Sequence, residues 1–180
     1  MKKINLEFLR NIDDNDYVWY ACYGSNINLN RLKIYINGDK TGRYATSSGC
    51  RNKTMPIDSK PYVIRRRLYF AKHSSKWNGG VAFLNYRSRG KTYGKIYKIT
   101  KSQFIDVLKQ EQKFKAYDTL LYVGKYRRKP VFTFTALHKL KDIEEPSKQY
   151  LNTIRKGISD TYKNLSKEKI DKYMQRVSKL

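Results

Sequence analysis

Tyr17-Val18-Trp19-Tyr20-Ala21-Cys22-Tyr23-Gly24-Ser25-Asn26 decides how the chain is read. Residues 17–22 are apolar or aromatic without alternation, which marks a strand covered on both faces. Gly24-Ser25-Asn26 breaks that strand, and Asn28 to Ile36 then predicts a short helix ending at Asn37-Gly38. A glycine in such a turn lets a ligand approach the backbone closely. N–H groups at a helix start lack internal partners and carry the positive end of its dipole, so they hold anions. Ser25 and Asn26 add side-chain donors. Taken alone, turns like this are more often ordinary caps.

Working outward, residues 1–16 carry a weak helical periodicity through Ile4, Leu6, Phe8-Leu9 and Ile12, and are read as an N-terminal extension. Residues 17–180 contain no repeat or Pro/Gly-rich linker and are read as one domain. Residues 39–60 look like a polar loop. Strands are expected over 62–70, 80–86, 92–99, 117–125 and 131–136. Thr100-Lys101-Ser102-Gln103 has the form of a capping box and opens a helix over about 101–111. Pro146-Ser147 starts a C-terminal helix running to about Tyr162, and Ser166 caps a last one. Six strands with few helices between them argue for an α+β class. The expected form is a small, mixed, mostly antiparallel β-barrel with helices packed outside.

Composition narrows the function classes. The 180 residues include 16 Tyr and 7 Phe, enough aromatic surface to build a core and to exclude a disordered chain. No apolar run approaches the ~18 residues of a membrane span. Asp13, Asp14 and Asp16 follow the N-terminal lysines where a signal peptide would need an apolar stretch, so a cytoplasmic location is expected. In that compartment Cys22 and Cys50 are more often unpaired thiols than a disulfide. His73 and His138 have no Cys or carboxylate at ligand spacing, so no metal site is expected. Lys and Arg number 39 against 15 acids, a net charge of +24 that attracts nucleic acid by field alone. That charge is spread along the chain, with compact clusters only at Arg65-Arg66-Arg67 and Lys125 to Lys129, and genome composition accounts for it as readily. Arg65-Arg66-Arg67 falls inside an expected strand, where alternation would send its charges to both faces.

Tyr20-Ala21-Cys22-Tyr23-Gly24-Ser25-Asn26 resembles the Tyr-Gly-Ser-Asn signature of γ-glutamylcyclotransferases. Further matches follow in the family's order. Trp77-Asn78-Gly79-Gly80-Val81-Ala82 resembles its Trp-x-Gly-Gly-x-Ala segment, and Tyr93 to Ile99 the strand before its catalytic helix. Gln110-Glu111 is similar to the helix end that holds its catalytic Glu, with Tyr117 just beyond. Pro146-Ser147-Lys148-Gln149-Tyr150 resembles the segment that closes its pocket. Two positions depart from the pattern: Gln112 stands where the family usually has Gly, and the acidic residue common just upstream is replaced in Leu108-Lys109.

The resemblance implies a cofactor-independent enzyme acting on a small γ-glutamyl amino acid or γ-glutamylamine. The substrate's α-amine attacks its own side-chain carbonyl, closing 5-oxoproline and releasing an amine. Glu111 would be the acid–base residue. Tyr23, Gly24, Ser25 and Asn26 would cradle the γ-glutamyl unit, their N–H groups serving its carboxylate or the oxyanion. Tyr20, Tyr117 and Tyr150 would wall the pocket. Spacing bears on Glu111 independently, because Phe104, Leu108 and Glu111 sit at i, i+4 and i+7 on one helical face. An inward carboxylate there would be desolvated and its pKa raised toward the working pH. Two other readings stay open at this point: a basic nucleic-acid-binding protein on the same fold, and removal of a γ-glutamyl protecting group in a biosynthetic pathway.

Overall fold

The computed structural model describes residues 5–39, 47–112 and 117–179. Seven strands and four α-helices are found among them. The opening strand β1 (Tyr17–Cys22) is buried at every position after Tyr17, as its unbroken apolar run requires. A 3₁₀ turn over Ser25–Ile27 separates it from α1 (Leu29–Asn37). Then come β2 (Asp58–Ile64), β3 (Arg67–Ser74), β4 (Gly79–Asn85), β5 (Thr92–Thr100), α2 (Lys101–Gln112), β6 (Thr119–Tyr126), β7 (Lys129–Thr135), α3 (Lys148–Thr161) and α4 (Lys167–Ser178).

The α+β class and the dominance of antiparallel pairing stand, but the barrel does not form. The strands make an open five-stranded sheet in the order β2-β5-β1-β7-β6 and a separate two-stranded sheet, β3-β4. Among the described residues only β1 and β7 pair in parallel. Two features explain the difference. The run expected as one strand over 62–70 bends at Arg65-Arg66, where Thr92 Oγ1 donates to the Arg66 carbonyl at 2.7 Å, and continues as β3 in the other sheet. The basic triplet therefore lies mostly in a connection. In addition, the free edge strand β2 carries Pro61, which has no N–H to give to a further strand. The sheet curls until its two edges meet, yet they are joined by a side chain: the Tyr62 hydroxyl donates to the Val123 carbonyl of β6 at 3.0 Å. A β-bulge between Tyr122 and Gly124 bends β6 at that point.

Within the region read as a loop, β2 begins at Asp58, and residues 40–46 lie outside the described residues, as does Ile4 of the N-terminal periodicity. That periodicity yields a 3₁₀ turn, Glu7–Leu9, whose Leu9 is buried. The Asp14 and Asp16 carbonyls accept from the first N–H groups of α2, at Ser102 and Lys101. The capping box closes reciprocally: Gln103 N–H donates to Thr100 Oγ1 at 3.2 Å and Thr100 N–H to Gln103 Oε1 at 3.1 Å.

Tyrosines tie the C-terminal helices to the sheet. The Tyr162 hydroxyl donates to the Gly94 carbonyl at 2.8 Å, and the Tyr173 hydroxyl accepts from Tyr93 N–H at 3.2 Å. Each such ring also stabilises by on the order of 2 kcal/mol through burial. Both cysteines are buried free thiols, and His73 and His138 are exposed. Among the described residues no helix is long and apolar enough to cross a membrane, and no group of His, Cys, Asp and Glu could hold a metal ion.

Candidate active site

The end of β1, the turn after it, the last turn of α2 and the first turn of α3 converge on one cavity. Its lining includes all eight residues named from the sequence: Tyr20, Tyr23, Gly24, Ser25, Asn26, Glu111, Tyr117 and Tyr150. The fold achieves this by pairing β1 antiparallel to β5, which leads directly into α2. Phe104 and Leu108 anchor α2 in the core, and Glu111 follows them inward, only 9% exposed.

The turn and the helix end touch. Asn26 Nδ2 donates to Glu111 Oε1 at 3.1 Å and lies 3.4 Å from the Tyr20 hydroxyl. A second donor to the Glu111 carboxylate is the Tyr35 hydroxyl of α1. Burial raises the Glu111 pKa above its usual value, opposed by the Tyr35 and Asn26 hydrogen bonds and by the charges of Arg31 and Lys76. Desolvation wins, and the carboxyl holds its proton to a higher pH than an exposed glutamate would.

The turn itself differs from the expectation of an open helix start. Its 3₁₀ residues bond internally, with Ile27 N–H donating to the Gly24 carbonyl and Asn28 N–H to Ser25. The N-terminus of α1 begins later and is capped by Asn28, whose Oδ1 accepts from Asn30 N–H at 2.9 Å. Binding at residues 23–26 therefore draws on the turn and on Asn26 and not on an α-helix dipole. Gly24 is required by close approach: a Cβ there would stand 2.9 Å from the Tyr150 hydroxyl and 3.3 Å from the Ala82 Cβ.

The tyrosines divide into two groups. Tyr23 donates to the Phe134 carbonyl at 2.7 Å and Tyr117 to the Ala82 carbonyl at 3.0 Å, so both hydroxyls serve the framework and both rings act as walls. Tyr150 instead accepts, from Ala82 N–H at 3.2 Å and from the Ser25 backbone. Among the described residues its own hydroxyl hydrogen meets no acceptor, which leaves it directed to the cavity.

The structure adds residues that the sequence reading did not select. Tyr35, Ser74, Lys76 and Trp77 line the same cavity. Arg31 is buried beside them, its guanidinium carbon 5.2 Å from the Trp77 ring centroid and 5.9 Å from that of Tyr35. Arg31 and Tyr35 are one helical turn apart, as are Leu32 and Ile36, so the inward face of α1 was readable from its spacing. Ser74 and Lys76 offered no local signal. They reach the cavity because the hairpin of β3 and β4 folds over it, its turn closed by Trp77 N–H to the Ser74 carbonyl at 3.0 Å.

An α+β domain with this curled sheet, a buried glutamate and a backbone turn facing it defines a recognisable class: the chain has the γ-glutamylcyclotransferase-like fold. A solved γ-glutamyl cyclotransferase superposes with a TM-score of 0.63 at 18% identity, covering 92% of this chain and 88% of that one. An uncharacterised protein from Homo sapiens superposes at 0.60 with 19% identity, covering 91% and 88%. YkqA from Bacillus subtilis gives 0.60 and 22%, covering 92% of this chain and 55% of YkqA. Among curated proteins, histone deacetylase 5 of Arabidopsis thaliana is 31% identical over 201 aligned residues, covering 88% of this chain. The chain spans 30% of the length of that relative, whose name describes the whole longer protein. No family model matches.

Proposed function

We propose that the chain is a γ-glutamylcyclotransferase-type enzyme that converts a γ-glutamyl compound to 5-oxoproline and a free amine. The observation that carries this reading is the 3.1 Å contact between Asn26 of the turn and the desolvated Glu111 inside one cavity. Glu111 takes a proton from the substrate's α-ammonium, and the amine nitrogen attacks the γ-carbonyl carbon. The tetrahedral intermediate collapses by breaking the original C–N bond as Glu111 returns the proton to the departing nitrogen, and the ring nitrogen releases its second proton to solvent to give the neutral lactam. No protein nucleophile is consumed. The cavity's task is to hold the flexible γ-glutamyl arm folded, the kind of proximity that ring closure rewards most. Tyr150 and the Gly24–Asn26 turn supply donors for the α-carboxylate or the developing oxyanion.

Incubation with a panel of γ-glutamyl amino acids and γ-glutamylamines is expected to release 5-oxoproline, read by chromatography. A wild-type protein inert on every member of the panel would remove this reading.

Charge favours one half of that panel. Lys76 is half-buried on the cavity wall, its pKa pushed down to about 8 by burial and by Arg31, while Glu111 and Asp39 pull it upward. With Glu111 opposite the ammonium and the turn opposite the α-carboxylate, Lys76 is placed for a second carboxylate, one carried by the departing amino acid. The Ser74 hydroxyl, 2% exposed, has no hydrogen-bond partner among the described residues and adds a donor on the same wall. The wild type should prefer γ-glutamyl-alanine to γ-glutamyl-ethylamide by about 30-fold in kcat/KM, the worth of one charge-assisted hydrogen bond. Lys76→Met should bring that ratio close to one, and Lys76→Arg should keep most of it.

A further inference from the structure

The positive charge that is scattered along the sequence is gathered by the fold. A groove sharing no lining residue with the cavity around Glu111 runs between β3, the β4–β5 connection and the end of α4. Arg67, Arg89, Lys91, Lys139, Arg176 and Lys179 line it, and all six are exposed. Its lining contains no Asp or Glu among the described residues. These cations come from four stretches of chain, and only Arg67 belongs to a cluster visible in the sequence.

Three of these side chains rest on aromatic rings, and one of them also bonds the backbone. Lys91 Nζ stands 5.0 Å from the Tyr93 ring centroid, Lys139 Nζ 5.9 Å from that of Tyr69, and the Arg176 guanidinium 5.5 Å from that of Tyr173. Arg176 also donates to the Lys91 carbonyl at 3.4 Å. None of the six takes part in an ion pair among the described residues. Cation–π support orients a charge without neutralising it. Three of the six head groups are oriented in this way without an acidic partner among the described residues. Asp142 and Asp118, which lie outside the lining, act on the Tyr69 hydroxyl and raise its pKa beside the effect of burial.

We propose that this groove binds nucleic acid through its phosphate backbone. Six cations lining one trough with no acid in its lining suit a polyanion. The groove's rings, Tyr69 and Phe70, are 9% and 1% exposed, which leaves no aromatic platform for stacked bases. Readout of sequence is therefore absent, and binding is governed by salt.

The test compares two double charge reversals that alter net charge equally. Arg89→Glu/Lys139→Glu lies in the groove, and Lys125→Glu/Lys129→Glu lies on the exposed hairpin of β6 and β7. Binding of a labelled single-stranded oligonucleotide is measured by anisotropy from 50 to 200 mM salt. The groove variant is expected to bind about 30-fold more weakly than wild type, with the salt slope reduced by roughly 1.4 for two lost phosphate contacts. The hairpin variant should lose no more than about 3-fold, the share due to overall field. Circular dichroism verifies that both fold, and exposed positions were chosen for that reason. Equal losses in the two variants would show attraction by net charge alone and overturn the proposal. So would an undetectable wild-type interaction at 100 mM salt, or tighter binding to phosphatidylserine vesicles than to the oligonucleotide. Release of 5-oxoproline has no bearing on these outcomes, so this site stands or falls apart from the cyclase reading.

Discussion

Glu111→Gln should lower kcat by about 10³-fold, the middle of the range for a lost general acid–base group, while leaving the fold intact. Glutamine keeps the shape and can still accept from Asn26 and Tyr35, so the loss isolates proton transfer from packing. The same substitution should raise stability at neutral pH. Burial dominates the Glu111 shift, and the carboxyl's folded-state pKa lies above its ordinary value of 4.5. A group of this kind contributes stability that is fully present below the unfolded pKa and lost as pH rises through the folded one. Wild type and Glu111→Gln should therefore melt together near pH 4.5 and separate in the variant's favour toward pH 8. Thermal melts at the two pH values measure this. A variant less stable than wild type at pH 8 would mean that Glu111 is held charged by its partners. Tyr35→Phe gives the complementary sign. It removes a hydrogen bond that lowers the Glu111 pKa, so the rising limb of the kcat/KM profile should move to higher pH. A merely structural role for Tyr35 would lower the rate without moving that limb.

How much of this site could be read in advance depended on the distance each feature spans. The break at 23–26 and the helical face that carries Glu111 follow from local spacing, because strand ends and helix faces are set within a few residues, while their reading as a site came from the family resemblance. Tyr35 has the same kind of signal on α1, where its neighbours read simply as a short helix. Lys76 and Ser74 had none, as only the fold of the β3–β4 hairpin brings them to the cavity. The basic groove is the same case on a larger scale, its cations drawn from residues 67 to 179. The barrel failed for a reason that was present in the chain but outweighed: Pro61 and the Arg65-Arg66 bend interrupt what alternation alone presents as a continuous strand. Strand count and apolar content carry no information about closure. Edge chemistry does, and here a tyrosine hydroxyl bridges the gap that backbone pairing would have filled.

Gly80→Ala should destabilise the protein by about 3 kcal/mol, at the upper end for an overpacked site. A Cβ at this position would stand 2.2 Å from the Glu144 carbonyl oxygen and 2.9 Å from its carbon. Both are backbone atoms, so no side-chain rotation relieves the clash. The segment that would have to move runs along the hairpin like an extra strand. Lys72 N–H donates to the Asp142 carbonyl at 2.9 Å, Gly80 N–H to Glu145 at 2.9 Å and Glu144 N–H to Phe70 at 3.3 Å, and Ala71 bridges to Ile143. Displacing it strains these bonds together. It also leads through Pro146 and Ser147 into α3, where Ser147 Oγ accepts from Tyr150 N–H at 3.2 Å. Tyr150 is thereby coupled to a clash at the far side of the hairpin, and its hydroxyl is the group set against the Ser25 backbone and Ala82. A chain of this size loses about 2–4 °C of Tm per kcal/mol, so the melt should fall by roughly 6–12 °C. The residual folded enzyme should show a raised KM, because the wall opposite Gly24 no longer sits at its native depth. Ser75→Ala, exposed on the turn of the same hairpin, controls for the position and should melt within about 1 °C of wild type. If Gly80→Ala matches that control, the 142–145 segment yields freely, and the Trp-x-Gly-Gly stretch is not what seats Tyr150 against the turn.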